Sequence, residues 1–213
     1  MIFYKMESKF GKEVGNTYPQ SQSVKSEINV NSSIHLLNQW GKFPENVYIP
    51  DSVLDSKAIL TDLISSSPIY QKIVSDKLKN ILFSYRKIGI QFFSTNVLSR
   101  EKKTNYWLLN EYEYDYEFVD YSNSEIIRSN DDAKTVLKIK SANEFIEKKQ
   151  LFEKVNDSIW IEKLHLIKDI NKDILFLDKV SGSNIYLSQK IKDEIESKRC
   201  TGIEFVKCGD RYP

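Results

Sequence analysis

Four carboxylates occupy alternate positions of 111-EYEYDYEF-118: Glu111, Glu113, Asp115 and Glu117. Read as one strand over 111–119, the segment puts them on one side and Tyr112, Tyr114, Tyr116 and Phe118 on the other. Carboxylates two residues apart on a strand lie about 6.5–7 Å from each other. Inverting glycosidases hold their acid and base roughly 6.5–9.5 Å apart, but they also need a cleft with sugar-stacking rings beside the acids, and here the rings face away. A Ca²⁺ site needs oxygens converging from a turned backbone, whereas a straight strand spreads them. An aromatic strand face can stack nucleic-acid bases, yet the adjacent carboxylates repel phosphate. Two readings remain for Glu111, Glu113, Asp115, Glu117 and the nearby Asp120. Cross-strand pairs with Lys134, Lys138 and Lys140 neutralise a solvated face, or the row is a docking surface for a basic protein.

Other catalytic signatures are missing from the sequence. The seven glycines build neither GxGxxG nor a Walker A loop. Ser181-Gly182-Ser183 reads as a turn before a strand, with no GxSxG elbow. The two histidines, His35 and His165, cannot make HExxH or a His-rich zinc set. His35 sits among Ile34, Leu36 and Leu37, and His165 lies in a strand pattern; both read as structural. Cys200 and Cys208 flank a strand over 202–206 that holds their Cα atoms on the order of 20 Å apart. A disulfide needs less than about 7 Å, so two free, packing thiols are expected. The residues predict no catalytic centre, no metal site and no cofactor.

The elements that would position these residues follow from composition and pattern. With 213 residues, 40% hydrophobic and 29% charged, the chain is long and apolar enough for a globular core. A formal net charge of +1 gives no global field for nucleic acid or an anionic membrane, so electrostatic function must be local. Lys5, Glu7, Lys9 and Lys12 interrupt any secretory h-region, and no apolar run reaches the length of a bilayer span, which predicts a cytoplasmic protein. Residues 1–33 read as a polar, loop-rich arm with a short strand at Ile28 to Val30; residues 34–213 read as a single α+β domain. The spacing of Leu54, Ala58, Leu63 and Ile64 predicts a short helix closed by Pro68. Strands are expected over 134–140, 158–167 and 173–180, with a charged helix near 141–153.

An internal repeat organises the rest. The stretches 72-KIVSDKLKNILFSYRKIGIQFF-93 and 185-IYLSQKIKDEIESKRCTGIEFV-206 align without a gap at an offset of 113 (188 − 75). Ser75 matches Ser188, Lys77 Lys190, Lys79 Lys192, Ser84 Ser197, Arg86 Arg199 and Gly89 Gly202. Each copy predicts a strand, a serine cap, a helix with core residues four apart (Leu78 and Leu82; Ile191 and Ile195), a basic last turn, a glycine stop and a second strand. The expected fold is α+β: a mixed or mainly antiparallel sheet with short helices.

The stretches 185-IYLSQKIKDEIESKRCTGIEF-205 and 73-IVSDKLKNIL-82 resemble an immunity protein family of bacterial polymorphic toxin systems, a group first catalogued as a domain of unknown function. So does 116-YEFVDYSNSEI-126, where Val119-Asp120-Tyr121-Ser122-Asn123-Ser124 is similar to the family's hydrophobic-Asp-x-x-x-Ser run. The resemblance spans residues 70 to 206. It implies an α+β protein, encoded beside a toxin gene, that binds a cognate toxin domain without catalysis; no membrane or nucleic-acid partner is expected from the charge and hydropathy. It assigns no functional residue. A scaffold or self-associating module, and an enzyme of unrecognised type, are the alternative readings.

Overall fold

The computed structural model describes residues 1–23, 28–67, 72–100, 102–130, 133–182 and 184–208. Among them it has thirteen strands and three helices, an α+β fold of mixed and antiparallel sheets as the sequence predicts. The chain forms two compact units: Ser8–Glu113 with Ile191–Glu204, and Met1–Glu7 with Tyr114–Lys190 and the chain from Phe205.

After β1 (Phe3–Ser8), the first unit contains β2 (Ser21–Ser23), β3 (Ser52–Leu54), β4 (Leu63–Ser67) and β5 (Lys72–Val74). Helix α1 (Asp76–Tyr85) and the long hairpin of β6 (Ile90–Ser99) and β7 (Lys102–Glu111) follow. Strands β2 to β7 close a barrel in the order β2-β3-β6-β7-β5-β4. Its interior face carries Leu54, Ile64, Ile73, Val97 and Tyr106. The segment expected to be a helix is therefore strand at both ends. Leu54 and Ile64, with Ala58 packed against them, line a barrel core rather than a helix stripe, and Leu63–Ser65 pair with Val74–Lys72. Pro68 lies outside the described residues. Residues 34–49 pack Leu36, Phe43, Val47 and Ile49 against Phe93 and Leu108. Alternation along β6 and β7 puts Phe93 and Leu108 on the same barrel face as Val97 and Tyr106. The loop thus fills the barrel toward the end where β6 starts and β7 finishes.

The second unit holds β8 (Glu125–Ser129), β9 (Lys134–Leu137), α2 (Ala142–Glu153) and β10 (Ser158–Lys163), with β8 central in a three-stranded sheet. The chain continues through β11 (Ile174–Phe176), β12 (Ile185–Ser188), α3 (Gln189–Ser197) and β13 (Ile203–Lys207). The charged helix near 141–153 forms as α2, capped by Ser141, whose hydroxyl accepts from Glu144 N at 3.3 Å. The expected strands are present but shorter. One core cluster gathers Phe145 and Phe152 of α2 with Ile126, Ile159, Ile161, Leu175 and Tyr186.

The repeat is real and larger than the aligned sequence. Sheet order β4-β5-β7-β6 in the barrel matches β11-β12-β1-β13 in the four-stranded sheet. Val74 pairs with Trp107, and its counterpart Leu187 pairs with Tyr4. Tyr112 N donates to Gly89 O at 2.9 Å and Lys9 N to Gly202 O at 3.0 Å, each five residues on from the paired position and just past the end of β7 or β1. Trp107 Nε1 donates to Asp76 at the start of α1, and Tyr4 OH donates to Gln189 at the start of α3. Strand β1 is thus the counterpart of β7, taken from the other end of the chain. The N-terminal segment accordingly contributes β1 and β2 rather than loop alone, while Ile28 to Val30 is not strand and residues 24–27 lie outside the described residues.

Candidate functional site

The acidic segment does not form a strand. Only Glu111 belongs to β7; residues 112–115 are irregular and Tyr116–Phe118 is a single 3-10 turn. The chain turns because its aromatic residues enter a core. Tyr116 packs its ring on Phe145 with centroids 5.1 Å apart, and its carbonyl accepts from Tyr121 OH at 3.1 Å. Asp115, expected on a solvated face, is buried. Its carboxylate accepts from Phe176 N at 2.8 Å and from Lys172 Nζ at 2.6 Å, capping the end of β11. Burial disfavours the Lys172 charge, but the carboxylates of Asp115 and Glu117 outweigh it and hold the ammonium above its ordinary range.

The remaining acids separate into structural and exposed groups. Glu111 is largely buried at the end of β7, 3.5 Å from Lys72 Nζ. Asp120 accepts from the backbone N–H groups of Ser122 and Asn123 and from Asn123 Nδ2 at 2.8 Å, which holds its carboxyl below the usual range. Glu113 is exposed, while its backbone carbonyl accepts from Arg86 at 3.1 Å. Glu117 is 57% exposed at its side chain and lies 3.3 Å from Lys172. The lysines thought to neutralise the row go elsewhere. Strand β9 pairs with β8, Lys134 stands over the Trp160 ring at 5.4 Å, and Lys138 and Lys140 lie beyond the strand. Among the described residues no ion pair joins these three lysines to the five acids. A row of alternating charge therefore does not exist, because the period-2 argument holds only for extended backbone.

The hydrophobic-Asp-x-x-x-Ser run is an architectural unit. Val119 bridges to Leu166, Asp120 N donates to His165 O at 2.8 Å, and His165 N donates to Ser124 Oγ at 3.0 Å. Ser124, His165 and Asp120 are neighbours, yet the hydroxyl is engaged with the His165 backbone, so the trio is not arranged as a nucleophile and base. His35 is buried; its Nδ1 accepts from Leu37 N at 3.1 Å and starts the 3-10 turn Leu36–Asn38. Cys200 and Cys208 are free thiols, and burial pushes Cys200 up to about 11, away from the reactive range. Among the described residues no group of His, Cys, Asp or Glu is placed to hold a metal ion, and no helix is long and apolar enough to cross a membrane.

Two features escaped the sequence patterns. Lys149 on α2 and Asp178 form a partly buried ion pair at 2.6 Å, where burial pushes Asp178 up to about 6 and lowers Lys149; Asp178 Oδ1 is buried without a partner. The other is Trp40, 88% exposed on the loop that fills the barrel. That loop is built from its own polar groups. Leu36 N donates to Tyr48 O, Tyr48 N to Ile34 O, Asn38 Nδ2 to the carbonyls of Val30 and Ser32, and Gln39 Nε2 to those of Ser33 and His35. Phe43 exchanges two hydrogen bonds with Gln91, at 2.8 and 2.9 Å, and Asn110 Nδ2 donates to Gly41 O at 2.9 Å. Only the exposure of each side chain, invisible to a linear pattern, marks Trp40 out.

The model of the Immunity protein family (Imm11) matches residues 3–210. No curated protein matches the chain. The match spans both repeats and the Val119–Ser124 turn, and it extends to β1 and β2, beyond the motifs that carry the resemblance in sequence. Membership points to a toxin-neutralising role in a family that is generally non-enzymatic. A match over almost the whole length decides the family: this chain belongs to the Immunity protein family (Imm11).

Proposed function

We propose that this chain is a non-enzymatic immunity protein that binds a cognate toxin domain of a bacterial polymorphic toxin system one-to-one in the cytoplasm. Binding occludes the toxin's active or substrate-binding surface. The family match over residues 3–210 carries this reading. Of the acids first considered, Glu113, Glu117 and the locally bonded Asp120 keep carboxylates at the surface that can meet a basic group of the partner, while Glu111 and Asp115 are engaged within the fold.

The test is protection and capture. Cells expressing the toxin domain encoded beside this gene are expected to survive only when this chain is co-expressed, and the two proteins to co-purify at 1:1. Survival without a complex, or a complex without protection, overturns the reading.

A further inference from the structure

We infer that the toxin partner docks on the barrel-filling loop through Trp40, an inference that rests on the proposed immunity function. At 40-WGKF-43 the chain divides two aromatics: Phe43 is 4% exposed inside the barrel end and Trp40 is 88% exposed. An indole facing water on a mobile loop would be unremarkable. This loop is instead closed by the His35–Tyr48 bridge and fastened to Gln91 and Asn110, so the ring is presented on a fixed support. Trp107 and Trp160 both donate their indole N–H to carboxylates, at Asp76 and Glu162. Among the described residues Trp40 makes no such bond, which keeps its donor for a partner.

Rigid, exposed tryptophans are the side chains that dominate binding energy at interfaces, because they fill a pocket and lose little freedom. Leu37, 45% exposed, adds apolar surface three residues earlier. The neighbouring charges have both signs. Lys42 lies over the Tyr112 ring at 5.7 Å, and Tyr112 N bonds Gly89 O, which brings Lys87, Ile88 and Glu113 to the same end of the barrel. The matching toxin surface therefore has an apolar pocket with a hydrogen-bond acceptor for Nε1–H and a rim of both signs. It is not a uniformly basic face.

The experiment titrates the purified, catalytically inactivated toxin domain encoded beside this gene against wild-type protein, Trp40→Ala, Trp40→Phe and Leu37→Ala. Trp40→Ala should keep the wild-type melting temperature and weaken binding about thirtyfold or more, with Trp40→Phe recovering part of the loss. Wild-type affinity should change by less than about tenfold between about 50 and about 500 mM salt, as expected of an apolar-centred contact. Wild-type binding with Trp40→Ala equally tight overturns this surface and leaves the immunity reading intact. A steep salt dependence overturns the mixed-rim chemistry. A homodimer that dissociates in Trp40→Ala assigns the surface to self-association and overturns the toxin contact. No binding by wild-type protein overturns the immunity reading itself, and this inference with it.

Discussion

Ser75 Oγ donates to Asp62 Oδ1 at 2.6 Å, and in the second copy of the repeat Ser188 Oγ donates to Asp173 Oδ1 at 2.7 Å. In each copy the serine also sends its backbone N–H to the same aspartate's carbonyl, and a lysine two residues on reaches the carboxylate: Lys77 at 3.1 Å, Lys190 at 3.7 Å. The pair fastens the open end of a hairpin just where a helix begins. One copy is more heavily used. Asp62 Oδ2 also accepts from Thr201 N at 2.8 Å and from Thr201 Oγ1, tying the corner after α3 to the barrel.

Asp62→Ala is therefore expected to destabilise the protein by about 2–4 kcal/mol, and Asp173→Ala by roughly half as much. Chemical denaturation of the two variants checks the order. Burial works against the Asp62 charge, but the bonds from Ser75, Thr201 and Lys77 outweigh it, so its folded pKa lies below the unfolded value near 3.8. The resulting stability is present above the unfolded pKa and is lost as pH falls through the folded one. Asp62→Asn should flatten the acid limb of the wild-type stability profile below about pH 4.

Gly89 and Gly202 both have φ +78°. A Cβ at Gly202 would stand 2.5 Å from the carbonyl oxygen of Leu63 and 2.4 Å from Thr61 Oγ1, whereas at Gly89 it would meet Arg86 and Glu113 side-chain atoms at 2.8 Å. Either alanine costs about 1–2 kcal/mol for backbone strain. Gly202→Ala should cost more, because a backbone carbonyl cannot swing aside, and thermal melts of the pair should separate accordingly.

Charge changes in the acidic segment should divide by burial. Asp115→Ala leaves Phe176 N without its acceptor and is expected to cost about 2–4 kcal/mol in urea denaturation. Glu113→Lys and Glu117→Lys should stay within about 0.5 kcal/mol of wild type in the same denaturation and weaken toxin association instead.

Lys149→Met alone should destabilise by about 3–5 kcal/mol, since it strands the Asp178 carboxylate, whereas Lys149→Met with Asp178→Leu should recover most of the loss. A double-mutant cycle reads the difference; equal losses in both variants would count against the pair as the cause.

Some of this molecule was written locally. Ser75 and Ser141 cap their helices and Leu78 and Leu82 point inward, because caps and helical spacing depend on residues a few positions apart. The helix ends differ from the pattern: α1 and α3 stop at Tyr85 and Ser197, ahead of the expected basic last turn and of the left-handed Gly89 and Gly202. The β1 strand shows the boundary of that logic. Nothing in Phe3–Ser8 reveals that Tyr4 will occupy the place of Trp107, since the pairing joins residues 183 apart, Tyr4 and Leu187.

The acidic segment shows the same boundary. Alternation in EYEYDYEF is a property of the sequence, but alternation of side chains in space requires an extended backbone. Tertiary packing withdraws that condition: Tyr116 and Phe118 are drawn into the core and Asp115 takes the Phe176 N–H. Likewise Trp40 and Phe43 are both aromatic residues in one loop, and only the filled barrel end decides which is buried and which meets water. Sequence by itself determined the family, the α+β class and the repeated strand–helix–strand unit, because those rest on motifs and local chemistry. Burial decided which carboxylates and which indole stay at the surface, because burial is set by residues distant in the chain.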